Sequence, residues 1–173
     1  MRAHALSYLW KQLLRGDRGQ ALIETALSIP LLLLLLLAAA EFARMAYAGI
    51  EVSNAAGAAA AYGASSHAAA TDWSVSGSTY SGGVVNAATS DAANLTGVSG
   101  LTVTSITTSC SCANSSFTPT GCSDNTTCSS NNTAMVETIT VKTQATYDPL
   151  IYYPGGPTSI VLHGQATQTV SNQ

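Results

Sequence analysis

Hydrophobic positions along the chain fall into three regimes. From Ala21 to Ala40 the sequence reads ALIETALSIPLLLLLLLAAA, and Ile29 through Leu37 is apolar on every side of a helix. Such a run suits lipid or a buried bundle rather than one amphipathic face. Twenty residues at a rise of about 1.5 Å each span about 30 Å, the thickness of a bilayer core. Pro30 removes a backbone donor and crowds the carbonyl of Ala26, so a kink or loosened turn is expected there. The second regime, Glu41 to Ala61, is rich in Ala, with Phe42, Met45, Ile50 and Val52 as its larger apolar groups, and predicts that the helix continues. Gly63 is a candidate C-cap before a loop at Ser65. No sustained heptad of large residues predicts a coiled coil.

The third regime is shorter in period. Thr71 to Gly83 reads as a Ser/Gly-rich connection, and Val84 to Leu95 as a short helix closed by Thr96 and Gly97. Leu101–Ile106 alternates apolar and polar, as a strand does. In Met135–Tyr147, Ile139, Val141, Ala145 and Tyr147 fall on one face, with Thr138, Thr140, Lys142 and Gln144 on the other. Ser159–Val170 repeats the pattern with Ile160, Leu162, Ala166 and Val170. The Asp148–Pro157 link, with Pro149, Pro154, Gly155, Gly156 and Pro157, reads as a turn-rich loop between antiparallel strands. Tyr152 and Tyr153 within it read as packing or edge residues. The expected fold class is α+β: a single long N-terminal transmembrane helix, continuing into a small head with an antiparallel sheet.

Charge sharpens this picture. Only 9% of the 173 residues are charged and the net charge is −3, which excludes a basic nucleic-acid binder. Arg2, Lys11, Arg15 and Arg18 precede the apolar run with only Asp17 opposing them. A basic flank of that kind stays cytoplasmic, so the C-terminal part is expected to be exported. Arg15-Gly16-Asp17, an integrin-type tripeptide, falls in this cytoplasmic flank and reads as chance.

Glu24 is out of place in the apolar run. A charge at the centre of a membrane helix costs roughly 2.5–3.5 kcal/mol on insertion scales, and less near the interface. No basic side chain follows one turn later, and Arg18, six residues earlier, is poorly placed for a same-face pair. Its partner must be solvent, another chain, or a new amino terminus made by cutting nearby. A cut after Gly19 makes Gln20 the first residue and Glu24 the fifth. The alternative without such a partner leaves Glu24 hydrated at headgroup level in a monomer.

Basic leader, Gly19, hydrophobic helix and Glu24 together form the pattern cut by prepilin peptidases. With Pro30, the Leu run, and Glu41, Phe42 and Arg44 beyond it, residues 18 to 64 resemble the TadE-like pseudopilins of tight-adherence (Flp-type) pili. Thr25 stands where that family commonly has Phe or another bulky apolar residue, and Gln20 replaces a hydrophobic first residue. The resemblance implies a leader over 1–19, an assembly helix over 20–64 with its span at about 21–40, and an exported head over 65–173. It implies cleavage at Gly19/Gln20, and pairing of Glu24 with the amino terminus of a neighbouring subunit. Glu24, Pro30, Glu41, Phe42 and Arg44 become the expected assembly contacts. The implied partners are a prepilin peptidase, other pilins, an inner-membrane assembly platform and membrane lipid, with no nucleic acid, small-molecule substrate or cofactor. The implied location is the bacterial inner membrane, with the head exported and taken into a pilus.

Competing patterns remain open. Ala38-Ala39-Ala40 resembles a signal-peptidase site whose use would release a head beginning at Glu41; the long apolar run and the unbroken helix beyond it weigh against that. A secreted or anchored surface-binding protein is therefore the alternative function. Cys110, Cys112, Cys122 and Cys128 lie in an expected loop over 108–133 too polar to form a core. Four cysteines allow three pairings, and a Cys110–Cys112 ring is disfavoured by its tightness. Disulfides are expected over zinc, since C-x-C spacing without a nearby His is unlike a zinc knuckle. His4, His67 and His163 are scattered, and no catalytic motif accompanies them, so no enzyme is expected. His163 reads as an outward strand residue. Asn94, Asn114, Asn125 and Asn131 begin sequons that a Ser/Thr-rich chain produces by chance.

Overall fold

The structure is a computed structural model that describes residues 18–93, 98–112, 122, 135–151 and 156–171. Outside these lie most of the basic leader, Cys128, Tyr152, Tyr153 and the four sequon asparagines. The elements run α1 (Arg18–Gly63), α2 (His67–Ala70), β1 (Ser74–Ser76), β2 (Thr79–Ser81), α3 (Gly83–Asp91), β3 (Val98–Cys112), β4 (Met135–Tyr147) and β5 (Ile160–Thr169). The chain divides into two units, Met1–Ala43 and Arg44–Gln173. This is the expected α+β class.

In the first unit, α1 exposes its apolar residues in every direction. Leu31 to Leu37 are each between 47% and 65% exposed, so the apolar surface runs all round the helix. The helix qualifies by length and composition as a membrane span. Its hydroxyls are satisfied internally: Thr25 donates to the Ala21 carbonyl and Ser28 to the Glu24 carbonyl, both at 2.7 Å. That bonding is what apolar surroundings demand of polar groups. The helix continues through Pro30.

The second unit is built where α1 changes partner. Ala48, Val52, Ala55, Ala56, Ala59 and Ala60 are buried, and they recur at helical spacing. Of these, Ala55, Ala59 and Ala60 share a core with Val103 and Ile106 of β3 and with Ile139 and Val141 of β4. The sheet is a three-stranded antiparallel meander in the order β3-β4-β5. Its central strand alternates as expected, and the inward set extends to Glu137 and Thr143. Full burial of Ile139 or Val141 stabilises the fold by about 1.5–3 kcal/mol each.

Close approach of helix and sheet depends on missing side chains. Thr143 Oγ1 donates to the Val52 carbonyl at 2.7 Å, using that oxygen's second lone pair. Gly164, opposite Thr143 in the ladder, lies so near that an added Cβ would meet Thr143 Oγ1 at 2.6 Å and the Val52 carbonyl carbon at 2.8 Å. Gly63, the last residue of α1, also makes room: a Cβ there would overlap Ile139. It is not a left-handed cap, because Gly77, Gly82 and Gly100 are the described glycines with positive φ.

Other differences from the expected elements have local causes. The Thr71–Gly83 connection contains a hairpin, β1–β2, turned at Gly77 (φ 63°). Its strands are three residues long, too short to show a period. Trp73 and Tyr80 pack together at 6.0 Å between ring centroids, and Trp73 Nε1 donates to the Ala70 carbonyl. Helix α3 ends at Asp91, with Val84 and Ala88 buried as the pattern required. Strand β3 does not hold one alternation. Register shifts at Ser99/Thr102 and Val103/Ser105 change its phase, so that Val103 and Ile106, three positions apart, are both buried. β3 also runs on to Cys112, which places Cys110 and Cys112 on a strand instead of in the expected loop.

Two glycine substitutions should move stability in opposite directions. Gly164→Val should destabilise the head by about 1–3 kcal/mol through overpacking. Gly57→Ala, where an added Cβ meets nothing within 4 Å, should stabilise it by roughly 0.5–1 kcal/mol. Denaturant unfolding of the full chain in detergent, followed by circular dichroism, measures both.

Candidate assembly and processing site

The residues of the expected processing site lie on the first turns of α1. Gly19, Gln20 and Glu24 are all exposed, and an added carbon at Gly19 meets nothing within 4 Å. Gln20 and Glu24 stand one turn apart, on the same side of the helix. Ile23 and Leu27, 66% and 74% exposed, flank the carboxylate with apolar surface. Its position is therefore that of an acid on a greasy rod, within the segment that qualifies as a membrane span. Pro30 is exposed farther along the same helix.

The expected contacts beyond the Leu run differ among themselves. Glu41 is half-buried and Phe42 is 68% exposed. Arg44 serves the head: its guanidinium carbon lies 5.9 Å from the ring centroid of buried Tyr147 at the end of β4. A cation over an aromatic face contributes roughly 0.5–1 kcal/mol at a partly exposed site.

One cysteine pairing lies among the described residues. Cys110 and Cys122 form a disulfide with 5.7 Å between their Cα atoms. Cys112 is also disulfide-bonded. Cys110, Cys112 and Met135 form a second small core, with Cys122 packed on it. The first cross-link therefore fastens the chain after β3 back onto the end of the sheet. Among the described residues no group of three or more His, Cys, Asp or Glu is arranged to hold a metal ion.

A partly buried ionisable pair escaped the sequence reading. Glu137, 1% exposed, accepts at Oε2 from, or shares a proton with, His67 Nδ1 at 2.8 Å. Its Oε1 is buried without a hydrogen bond among the described residues. Around the pair, Val170 N donates to the Glu137 carbonyl, and Ser171 N and Oγ donate to the carbonyls of Ala64 and Ser65. His67 begins α2 directly after the turn that ends α1, so the pair ties this turn to the sheet. The available signal was phase: Glu137 is two positions before Ile139, on the inward face of β4. At the far side of the same turn, Tyr62 Oη donates to Asp72 Oδ2 at 2.8 Å.

These features define a class: a chain with one long apolar helix, exposed as a span, whose distal half is clasped by an α+β head. Residues 19–61 match the family model described as TadE-like protein. The matched segment includes Gly19, Glu24, Pro30, Glu41, Phe42 and Arg44, and a TadE-like segment points to a Tad pilus-associated protein. No curated protein matches the chain, and no solved structure does.

Removing His67 from the partly buried pair strands a carboxylate. His67→Ala should therefore destabilise the head by about 2–4 kcal/mol, whereas adding Glu137→Met to it should recover part of the loss. A double-mutant cycle by denaturant unfolding measures the difference. Non-reducing digestion and mass mapping should recover a Cys110–Cys122 peptide pair, and reduction should cost up to about 3 kcal/mol.

Proposed function

We propose that this chain is a minor pilin, or pseudopilin, of a tight-adherence-type pilus, working in pilus assembly and surface attachment. It is made as a single-pass inner-membrane precursor with its basic leader in the cytoplasm and its head exported. A prepilin peptidase cuts after Gly19, and the new amino terminus at Gln20 becomes the counter-charge for Glu24 of an adjacent subunit. The observation that carries this reading is Glu24, exposed between Ile23 and Leu27 on a helix segment with 0% of its span buried.

Physical chemistry gives the pairing two consequences. A carboxylate in an apolar bundle is costly unless compensated, so a neighbour that brings an amine is favoured over one that does not. The pair also fixes the axial register between two rods whose remaining contacts are uniform Leu and Ala. Glu41 and Phe42 extend that contact, with Arg44 held over Tyr147 as part of the head. Pro30, lacking an amide hydrogen, frees the Ala26 carbonyl and supplies a point at which the rod can yield. Other pilins and the assembly platform are the protein partners, and lipid surrounds the span until the subunit leaves the membrane. The head initiates, caps or decorates the filament.

Intact mass and N-terminal sequencing of the membrane-derived protein should give a mature start at Gln20. A start at Glu41 would instead mean release by signal peptidase, and one at Met1 a simple anchor. Gly19→Leu should leave the leader attached. Glu24→Ala should retain the leader cut but lower incorporation into pili by about tenfold or more, as expected for a charged contact of roughly 1.5–3 kcal/mol. Immunoblotting of sheared pili against the membrane fraction reads this out.

A further inference from the structure

One end of the head exposes apolar side chains. Leu150, three residues beyond Tyr147, is 74% exposed, and Ile151 beside it is 38% exposed. Val161, second residue of β5, pairs with Thr146 at the same end of the sheet and is 47% exposed. Elsewhere the outward face of β4 and β5 is polar: Thr138, Thr140, Lys142 and Gln144 face Thr169, Thr167, Gln165 and His163. Hydroxyls there are paired across strands, as in Thr140–Thr167 and Ser109–Thr138, both at 2.8 Å. The apolar positions thus gather at the Tyr147 end.

That end is also where the chain enters the head. Arg44 lies over the Tyr147 ring, and only residues 41–43 separate it from Ala40, the last residue of the apolar run. At no more than about 3.6 Å per residue, Arg44 stays within about 14 Å of the end of the span, whatever angle the two units adopt. A surface held this close to a bilayer meets its headgroup region whether or not it is built to do so. Leu150, Ile151 and Val161 are the residue types that gain there, by burying apolar area at the headgroup boundary. Arg44 and Asp148 lie at this end, one of each sign; Asp148 accepts from Ser99 at 3.3 Å.

We propose that the β4–β5 connection at Leu150 and Ile151, together with Val161, is a lipid-contacting foot that rests the head on the outer surface of the bilayer before assembly. This rests on the membrane reading of α1. Leaving the membrane then requires both the span and the foot to be withdrawn.

The test is site-specific photocrosslinking. The full chain, carrying a benzoyl-phenylalanine at one position, is reconstituted in vesicles of phosphatidylethanolamine and phosphatidylglycerol, and adducts are identified by mass spectrometry. Positions 150, 151 and 161 should each give about tenfold more lipid adduct than position 75, an exposed hairpin site (Val75, 52% exposed). The yield should be insensitive to salt. A probe at position 34, within the Leu run, reports separately on insertion of the span. Lipid adducts at position 34, with none above the Val75 level at positions 150, 151 and 161, would overturn the foot and leave the membrane reading intact. Covalent dimers at 150 in place of lipid adducts would assign this surface to a second copy. Absence of lipid adducts at 34 as well would remove the membrane reading itself, and the foot with it.

Discussion

Thr143 reaches the Val52 carbonyl across a gap that Gly164 keeps open, and the head is organised around that contact. A helix and a sheet normally keep their distance because both carry side chains toward the interface. Here the helix offers Ala48, Ala55, Ala56, Ala59 and Ala60, and the sheet offers a glycine and a threonine hydroxyl at the point of nearest approach. A buried hydroxyl left without a partner costs about 1–3 kcal/mol, and a valine at 143 would forgo the bond that pins the sheet's position along the helix. Gly63 repeats the device one end farther along, where Ile139 occupies the space a side chain would need. The His67–Glu137 pair and the Ser171 bonds to the following turn then close that end of the head.

One helix is therefore asked to satisfy two solvents. Its first half carries Leu on all sides and folds its two hydroxyls back onto its own carbonyls, as hydrocarbon requires. The second half carries Ala on one side and is covered by sheet. The change occurs at Glu41–Arg44, where charge returns to the sequence and where the chain divides into its two units. The TadE-like match, residues 19–61, runs across both halves.

Much of this was legible in the residues because the signals involved are local. A run such as Leu31–Leu37 has no other stable use than a greasy environment, and the period-two pattern of Met135–Tyr147 marks a strand with one buried face. Helix α3 was marked by Val84 and Ala88 in the same way. The β1–β2 hairpin was not, because three-residue strands carry no period, and its turn relies on Gly77 alone. Strand β3 misled in a different way. Val103 and Ile106 cannot both face inward in a regular strand, and only the register shifts against β4 reconcile them. Cys110 and Cys112 seemed to belong to a polar loop because their neighbours are Ser and Thr, yet those residues serve as well on the wet side of a strand.

The residues expected to serve processing and assembly present a sharper contrast. Gly19, Gln20 and Glu24 can be picked out from the sequence since an acid in an apolar helix is anomalous wherever the chain goes. Arg44 was recognised by the same pattern, but its place over Tyr147 depends on a strand more than a hundred residues away. Glu137 and His67 were hidden for the same reason: neither residue is unusual alone, and their pairing exists only once β4 lies beside the turn after α1. What the sequence determined by itself was the rod, its odd carboxylate and the alternation of its strands, since these follow from transfer energies and backbone periods that act over a few neighbours. What only the tertiary structure decided was which glycines are spacers, which cysteines meet and which acid is buried. Those depend on distances between segments far apart in the chain, and no local period encodes them.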